Sequence, residues 1–410
     1  MEEYENDLDM FQAALEIESP WFVSYRELDR QARQLHVYLN FKRGAAFSCQ
    51  RCGINGKVHD IVNEDRTWRH LDFWQYQTIL HARLPRIHCK HCDKITTVKV
   101  SWARVHTAFS WLFEAHVMAL MTEMPVAAVA RKVGEHDTRL WRIFHYYVDR
   151  AMNEMDMTGV KRIALDETSS RRGHEYVTLF VDIDTKQVLL ATEGKGSSGL
   201  LTFKQFLTQR SIDPTQIREA CCDMSAAFIA GIEEHFPAAQ ITFDKFHVMK
   251  LVNEAVDEVR REEQKEVVGL KKTRYIWLKN ESRLTEGQKQ TMLKLKDMNL
   301  QTGKAYRLKL ALQDMWTYPA IYADLYFKQW TQWAVRSQVE PMSAVARSLQ
   351  RYANGILRWF QTKMTNGLLE GLNSLVQAAK RKARGYRSTR NFIAMIYATA
   401  NKLKMKVEPH

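Results

Sequence analysis

The sequence predicts a multidomain α+β protein, and three observations carry that expectation. The period of the apolar residues changes repeatedly along the 410-residue chain, two Cys-x-x-Cys pairs bracket the first β-rich stretch, and five short strands give way to a long helical run. Apolar residues make up 45% of the chain, with 11 Trp, 15 Tyr and 18 Phe, so each part can bury a core and wholesale disorder is excluded. The scarcity of Gly (17) and Pro (8) favours long helices over a loop-rich or all-β build.

Residues 1–34 form an acidic N-terminal segment whose first twenty positions hold seven acids and no base. It is compatible with a helix and points to no function. Residues 35–100 read as a zinc-binding β module. LHVYLNF alternates like a strand leading into Cys49, and WRHLDFWQYQTILHARLPRI (68–87) alternates like a hairpin running into Cys89. Cys49, Cys52, Cys89 and Cys92 offer four thiolates, the donor set of one tetrahedral structural Zn²⁺. The stretch between the pairs, 53–88, exceeds the usual ~15–20 residues, which an inserted hairpin explains. A redox Cys-x-x-Cys would open a helix after a strand, and neither pair does. His88 and His91 are alternative ligands. Cys221 and Cys222 sit in an apolar strand and read as packing residues.

Residues 101–158 change period and read as three helices, a helix-turn-helix pattern. Pro125 suits the first turn of the second helix, Gly134 its end, and Asp137 with Thr138 the start of the third. Arg139 and Arg142 on that third helix suit contact with DNA phosphates or base edges. A plain helical bundle joining two domains would show the same periodicity.

From residue 161, KRIALDE, YVTLFVDID, QVLLATEG, IREACCDMS and AQITFDKF are five strand candidates, with helical stretches at 200–208 and 225–235. The order βββαβαβ is that of an RNase H-like mixed sheet. Such a core is expected over 159–249. A helical insertion over 250–362, with Trp277, Trp316, Trp330, Trp333 and Trp359 as anchors, would interrupt it, and residues 363–410 would complete it with basic C-terminal helices.

Asp166 and Asp223 end the first and fourth of those strands, which are neighbours in such a sheet, so both carboxylates should emerge at one edge. Glu370, in NGLLEGLNS, begins a late helix that can pack there. Three converging acids repel unless cations sit among them, and hard divalent ions, Mg²⁺ or Mn²⁺, are the natural occupants. Two such ions roughly 3.5–4 Å apart can stabilise the attacking and leaving oxygens of an in-line phosphoryl transfer. Taken singly, each acid reads equally as a turn, cap or solvated helix residue. Asp244 and His247, in FDKFHV, fall near the same edge as supporting residues or as a helix cap. Asp182 and Asp184 read as turn residues.

The net charge of +13 and pI of about 9.3 point to a polyanionic partner, nucleic acid being the commonest. The charge is localised: residues 361–410 hold ten Lys or Arg against two Glu. Lys380, Arg381, Lys382, Arg384, Arg387 and Arg390 suit phosphate contacts with Tyr386 as a stacking residue, and Arg171 and Arg172 would hold a phosphate beside Asp166. With no secretory pattern, no membrane-length apolar run and cysteines in metal-type pairs, a cytoplasmic protein without membrane contact is expected.

Three blocks, LDETSSRRGHEYVTLFVDIDT (165–185), CCDMSAAFIAGIEEHFPAAQITFDKFHVMKLVNEAVDEVRR (221–261) and NGLLEGLNSLVQAAKRKARGYRS (366–388), resemble the ISL-three type of bacterial insertion-sequence transposases. The Cys pairs and helix-turn-helix lie upstream in the same order. The resemblance implies an RNase H-like core, a helical insertion before the last acid, a zinc finger, and cut-and-join chemistry at the terminal inverted repeats of an element. By motif position it assigns catalysis to Asp166, Asp223 and Glu370. Synapsis of two DNA ends would call for a homodimer or higher oligomer, with target DNA as the second substrate. A domesticated, catalytically silent DNA-binding regulator and an RNase H-type nuclease without strand joining are the competing readings.

Overall fold

The computed structural model describes residues 7–171, 175–194, 196–296, 298–401 and 403, so Arg172, expected to hold phosphate, lies outside the described residues. The chain divides into two compact units, one running up to Asn153 and one spanning Glu154–Leu403.

In the first unit, helix α1 (Asp7–Ala14) precedes eight strands: β1 (Trp21–Asp29), β2 (Gln34–Phe41), β3 (Ala46–Ser48), β4 (Asn55–Ile61), β5 (Arg66–Arg69), β6 (Gln77–Ala82), β7 (Pro85–Cys89) and β8 (Lys94–Thr97). They form two four-stranded sheets, ordered β1-β2-β6-β5 and β3-β4-β7-β8. The alternation read in the sequence is visible in β2, where Leu35, Val37 and Leu39 turn inward, and in the antiparallel β5–β6 pair. Strand β1 lies inside the segment set apart on its charge. Its alternation is obscured by a bulge between Val23 and Tyr25, yet Trp21 and Val23 enter the core against Trp102 and Phe47.

The three expected helices follow as α2 (Trp111–Glu123), α3 (Val126–Val133) and α4 (Asp137–Asn153). Ser110 caps α2 by accepting the Phe113 N–H at 3.2 Å, and Pro125 immediately precedes α3. Gly134 closes α3 at φ +69°, a conformation that favours glycine, and a Cβ there would come within 2.5 Å of Gln77 Nε2 and push that side chain aside. Asp137 is the first residue of α4 and not its cap. That place belongs to His136, whose Nδ1 accepts the Thr138 N–H at 3.3 Å. The helices are held to the preceding loop by Glu114, which is fully buried and accepts from Arg104 Nε (2.9 Å to each oxygen), Thr107 Oγ1 (2.8 Å) and Tyr147 OH (2.8 Å).

The second unit is built on β9 (Arg162–Arg171), β10 (Glu175–Asp182), β11 (Val188–Glu193), α5 (Ser197–Gln209), β12 (Glu219–Cys222), α6 (Ala226–His235) and β13 (Gln240–Phe243). The sheet order is β11-β10-β9-β12-β13. Strand β10 runs antiparallel to both β11 and β9, and β12 runs parallel to both β9 and β13. Asp182 holds the β10–β11 turn by accepting from Asp184 N, Thr185 N and Thr185 Oγ1, as expected of a turn residue.

Helices α7 (Lys245–Glu263), α8 (Arg274–Leu278), α9 (Glu286–Lys296), α10 (Gln301–Met315), α11 (Ala320–Arg336), α12 (Glu340–Arg351) and α13 (Ala353–Thr362) form the helical block, followed by α14 (Gly367–Lys382) and α15 (Thr389–Ala400). Trp277 and Trp330 are buried and donate their indole N–H to Thr273 Oγ1 (3.1 Å) and Leu308 O (2.8 Å). Trp333 is not an anchor: three residues on from Trp330 it is turned by about 60°, past the edge of the buried stripe, and is 47% exposed. Lys309 is buried, donates to the Trp277 and Leu278 carbonyls (3.0 and 2.7 Å), and closes the end of α8; burial brings its pKa down to about 8. The chain returns to the sheet through α13, which lies so close to β13 that a Cβ on Gly355 would sit 2.5 Å from the Phe243 ring. One sheet face packs on α14 and α15 through Val177, Leu179, Val181, Leu369, Val376 and Phe392, while the other meets α5 with Phe180 stacked on Phe203 at 4.4 Å.

Replacing Glu114 by Ala strands the Arg104 guanidinium and the Tyr147 hydroxyl. We expect a loss of about 3 kcal/mol from the first unit, read as an earlier first transition in urea with the second unit's transition unmoved.

Candidate functional site

The β9–β12 ladder pairs Arg162–Ala164 with Glu219–Cys221 and then stops, because β12 ends at Cys222. Asp223 is the next residue. Asp166 lies two residues past the last shared rung, in the middle of β9 and not at its end, paired with Leu179 of β10. The apolar run stops at Asp166, but the β10 ladder carries the strand on to Arg171. Both carboxylates therefore leave the sheet where β9 and β12 part.

Helix α14 is seated on this edge by a row of polar contacts along β9. Asn366 Nδ2 donates to Leu165 O (3.4 Å), Asn373 Nδ2 to Asp166 Oδ2 (2.8 Å), Gln377 Nε2 to Thr168 Oγ1 (2.9 Å), and Lys380 Nζ to Ser169 O (2.7 Å). Glu370 is exposed in the first turn, three residues before Asn373 and so on the same side of the helix. Asp166 Oδ1 accepts the Glu167 N–H (2.8 Å), and Asp223 Oδ1 accepts the Ser225 N–H (3.0 Å).

Asp244 stands at the cap position of α7, but its side chain makes no cap bond. It is fully buried. One oxygen accepts from Thr365 Oγ1 at 3.1 Å and the other lies 3.6 Å from His247 Nδ1. Asp244 raises the His247 pKa above its usual value, with the charges of Asp166 and Asp223 adding to the effect. Burial pushes the Asp166 carboxyl upward and Asp223 adds repulsion, while the Glu370 carboxyl is also raised by burial and by the charge of Asp244. Five ionisable groups thus act on one another at one sheet edge, with a single imidazole among four carboxylates. Buried oxygens of Asp244, Asn366 and Asn373 lack a protein hydrogen-bond partner there. A set of oxygen donors with unmet capacity suits a hard divalent ion.

The second cluster lies in the first unit. The sulfurs of Cys49, Cys52, Cys89 and Cys92 all fall within 4.8 Å of one another, with Cys49–Cys92 at 3.7 Å and Cys52–Cys89 at 3.4 Å. Tetrahedral Zn–S bonds of about 2.3 Å require sulfurs about 3.8 Å apart, so the cage fits zinc. Among the described residues this is the group of Cys, His, Asp and Glu side chains that closes so tightly, and no three of the acids at the sheet edge do. The Arg51 and Cys52 N–H groups point at Cys49 and lower its thiol pKa to about 6, which favours the thiolate a metal needs. His88 turns to Asp93 at 2.8 Å, outside the cage.

The basic candidates divide. Arg139 pairs with Glu135 and lies over Phe109 at 4.4 Å, so packing already employs it, whereas Arg142 is exposed with no ion pair or hydrogen bond among the described residues. Arg381, Lys382, Arg384, Arg387 and Arg390 are exposed, while Lys380 braces α14 and Arg171 donates to the Arg387 carbonyl. Tyr386 is not a free stacking surface: it packs on Phe392 at 5.5 Å, and burial pushes its phenol up to about 12. Sequence reading missed Asn373 and Gln377. Their spacing from Glu370, i+3 and i+7 on one helical face, was the available signal.

Comparison with known proteins gives three family matches along the chain. Residues 163–396 match the ISL3 family described as "Transposase", residues 98–148 the "Helix-turn-helix domain of transposase family ISL3", and residues 45–92 the "zinc-finger of transposase IS204/IS1001/IS1096/IS1165". The transposase for insertion sequence element IS1001 of Bordetella parapertussis is 27% identical over 380 residues, covering 89% of this chain and 91% of its own. The transposase for insertion sequence element IS1557 of Mycobacterium tuberculosis is 26% identical over 387 residues, covering 86% and 85%. A chain of the simian T-cell lymphotropic virus intasome in complex with PP2A regulatory subunit B56 gamma overlaps 47% of this chain and 64% of its own at 14% identity. Its TM-score of 0.18 is too low to carry a statement about fold.

Two outcomes are expected. Purified protein should hold one zinc per chain by atomic absorption, and Cys52→Ser or Cys89→Ser should lose it and unfold the β3-β4-β7-β8 sheet. His247, whose folded pKa is raised, contributes stability that is complete below its unfolded value and lost as pH rises through the folded one. In metal-free protein an imidazole NMR titration should place His247 above 6.5, and His247→Gln should flatten the decline of stability through that range.

Proposed function

This chain belongs to the ISL3 family of transposases, and we propose that it acts as a DDE enzyme that binds the terminal inverted repeats of its insertion sequence, cuts the DNA there and joins the freed ends to target DNA. The observation that carries this reading is the 2.8 Å bond from Asn373 to Asp166, which seats the helix bearing Glu370 on the strand bearing Asp166, beside the chain end that presents Asp223. The strand order with its parallel β12 supports an RNase H-like reading of the sheet.

In this mechanism Asp166, Asp223 and Glu370 hold divalent cations, Mg²⁺ or Mn²⁺. Held by these residues, such ions would supply activation of an oxygen nucleophile, water or a DNA 3′-hydroxyl, and stabilisation of the departing 3′ oxygen. The protein's own work is positional. The Glu167 N–H and Asn373 fix both oxygens of Asp166, and the Ser225 N–H fixes Asp223, so neither carboxylate must reorganise as the reaction proceeds. Asp244 favours the protonated form of His247, and a charged imidazole there offsets the mutual repulsion of the acids. Arg381, Lys382, Arg384 and Arg387, at the end of α14 and in the turn after it, hold the phosphate backbone, and Arg142 on α4 meets the terminal repeat. The zinc cage is structural. Two protomers pair the two ends of the element, in the cytoplasm.

Asp166→Asn, Asp223→Asn and Glu370→Gln should each lower Mg²⁺-dependent nicking of cognate ends by roughly two to three orders of magnitude or more, with end binding in a gel-shift assay intact. Cleavage persisting at the wild-type rate in all three would remove the site.

A further inference from the structure

We infer that the tip of the β5–β6 hairpin and the β1–β2 turn form a second DNA-contacting surface, in which Arg30 and Arg33 take phosphates and Trp74 enters the groove beside the one read by α4. The inference rests on the proposed binding of DNA by the helix-turn-helix.

Three independent features meet at this end of the first unit. Trp74 is 80% exposed at φ +55°, in a tight turn closed by reciprocal bonds between Phe73 and Tyr76 (2.9 and 3.0 Å). A large aromatic residue held in the left-handed region and pushed into water gains nothing for folding, and such strain is retained where a ligand uses it. Its ring leans on Phe73, at 4.6 Å. The neighbouring turn is organised by Asp29, whose Oδ1 accepts the Gln31 and Ala32 N–H groups at 2.8 Å, and it presents Arg30 and Arg33 to solvent. Neither arginine has an ion pair or side-chain hydrogen bond among the described residues, and Arg33 too has positive φ.

The two turns are tied to the helix-turn-helix through one residue. Gln77 donates its backbone N–H to Arg33 O at 3.0 Å, and its side chain fills the space that a Cβ on Gly134, the bend between α3 and α4, would need. Trp74, Arg33 and the start of α4 therefore occupy one end of one rigid unit. The acids nearby are already engaged: Asp72 with Arg69, Glu135 with Arg139, and Asp137 with His136. Arg30, Arg33, Arg131, Lys132 and Arg142 are left as exposed cations without carboxylate partners among the described residues. Exposed cations on the turn beside an exposed indole match the chemistry of duplex DNA, with phosphates for the guanidinium groups and a groove edge or opened base step for the ring.

The test uses the full-length protein and duplexes taken from the DNA flanking its reading frame, with affinities measured over a salt series. Arg30→Ala with Arg33→Ala should reduce the slope of log K against log salt by about 1.8, two phosphates' worth. Trp74→Ala should weaken binding about 10-fold at every salt concentration, with the slope kept, and hydroxyl-radical footprints of both variants should lose protection on one side of the site. Arg142→Ala serves as the comparison, and retained zinc and circular dichroism show that each variant is folded. If the wild type binds and Arg142→Ala weakens it, while the turn variants bind with wild-type affinity, slope and footprint, the inference fails and the parent reading stands. If the wild type does not bind these duplexes, the parent reading fails. If the turn variants alter only the sedimentation of the DNA-free protein, the surface belongs to a second copy and the inference is overturned.

Discussion

The arrangement of the candidate active site depends on the polar seam between α14 and β9. Hydrophobic packing of Leu369, Leu372 and Val376 holds the helix to the sheet but tolerates sliding, because apolar contacts are non-directional. The bonds from Asn366, Asn373, Gln377 and Lys380 to consecutive parts of β9 remove that freedom. Sliding by one helical turn would leave buried amides and a carboxylate unsatisfied, at about 1–3 kcal/mol each. The seam thus converts a general affinity of helix for sheet into a fixed seat for the helix bearing Glu370 on the strand bearing Asp166, across more than two hundred residues of intervening sequence.

That separation also explains the helical block. Between β13 and α14 the chain must leave the sheet and return to it, and it does so on a frame that stands on its own contacts. Trp277 and Trp330 satisfy their indoles internally, Lys309 closes α8 by donating to its last carbonyls, and Gly355 brings the last helix of the block against Phe243. Met364 and Asn366 are buried just after that return, so the turn carrying the chain into α14 is itself part of the core. The helical block and the position of Glu370 are therefore mechanically coupled through α13.

Much of this was legible in the residues, for reasons that also mark the limit. Strands with one buried face announce themselves by alternation, as in β2, and the run of apolar residues before Asp166 located β9. Its end was invisible, because what continues β9 is hydrogen bonding to β10 and not burial. Strand β1 escaped since charge dominates its neighbourhood and a bulge breaks its period. The four cysteines could be paired by spacing alone, and the structure draws them within reach of one ion. Individual cations were harder: Arg139 and Arg142 are equivalent by composition, and only tertiary structure shows that Glu135 and Phe109 already occupy the first. Trp330 and Trp333 pose the same problem for apolar residues, three positions being enough to carry a side chain from core to water on a helix with no clean stripe.

The electrostatics of the sheet edge divide its acids by mobility. Asp166 and Asp223 are held by backbone N–H groups, and Asp244 is wholly buried, so their positions are set by the fold. Glu370 alone is exposed, on the first turn of a helix whose partial positive end favours its charge. Taking these acids out of water and setting them beside one another is costly, and the raised pKa values of Asp166 and Glu370 record first the desolvation and then the repulsion. A protein selected only for stability would place amides or apolar groups there. Retaining the acids, with one histidine to offset them, makes sense where a stronger and more compact positive charge takes over that task. A divalent cation held by the two fixed aspartates, Asp166 and Asp223, and by the adjustable Glu370 would relieve the repulsion. The same feature that strains the free protein then supplies the driving force for assembling the site.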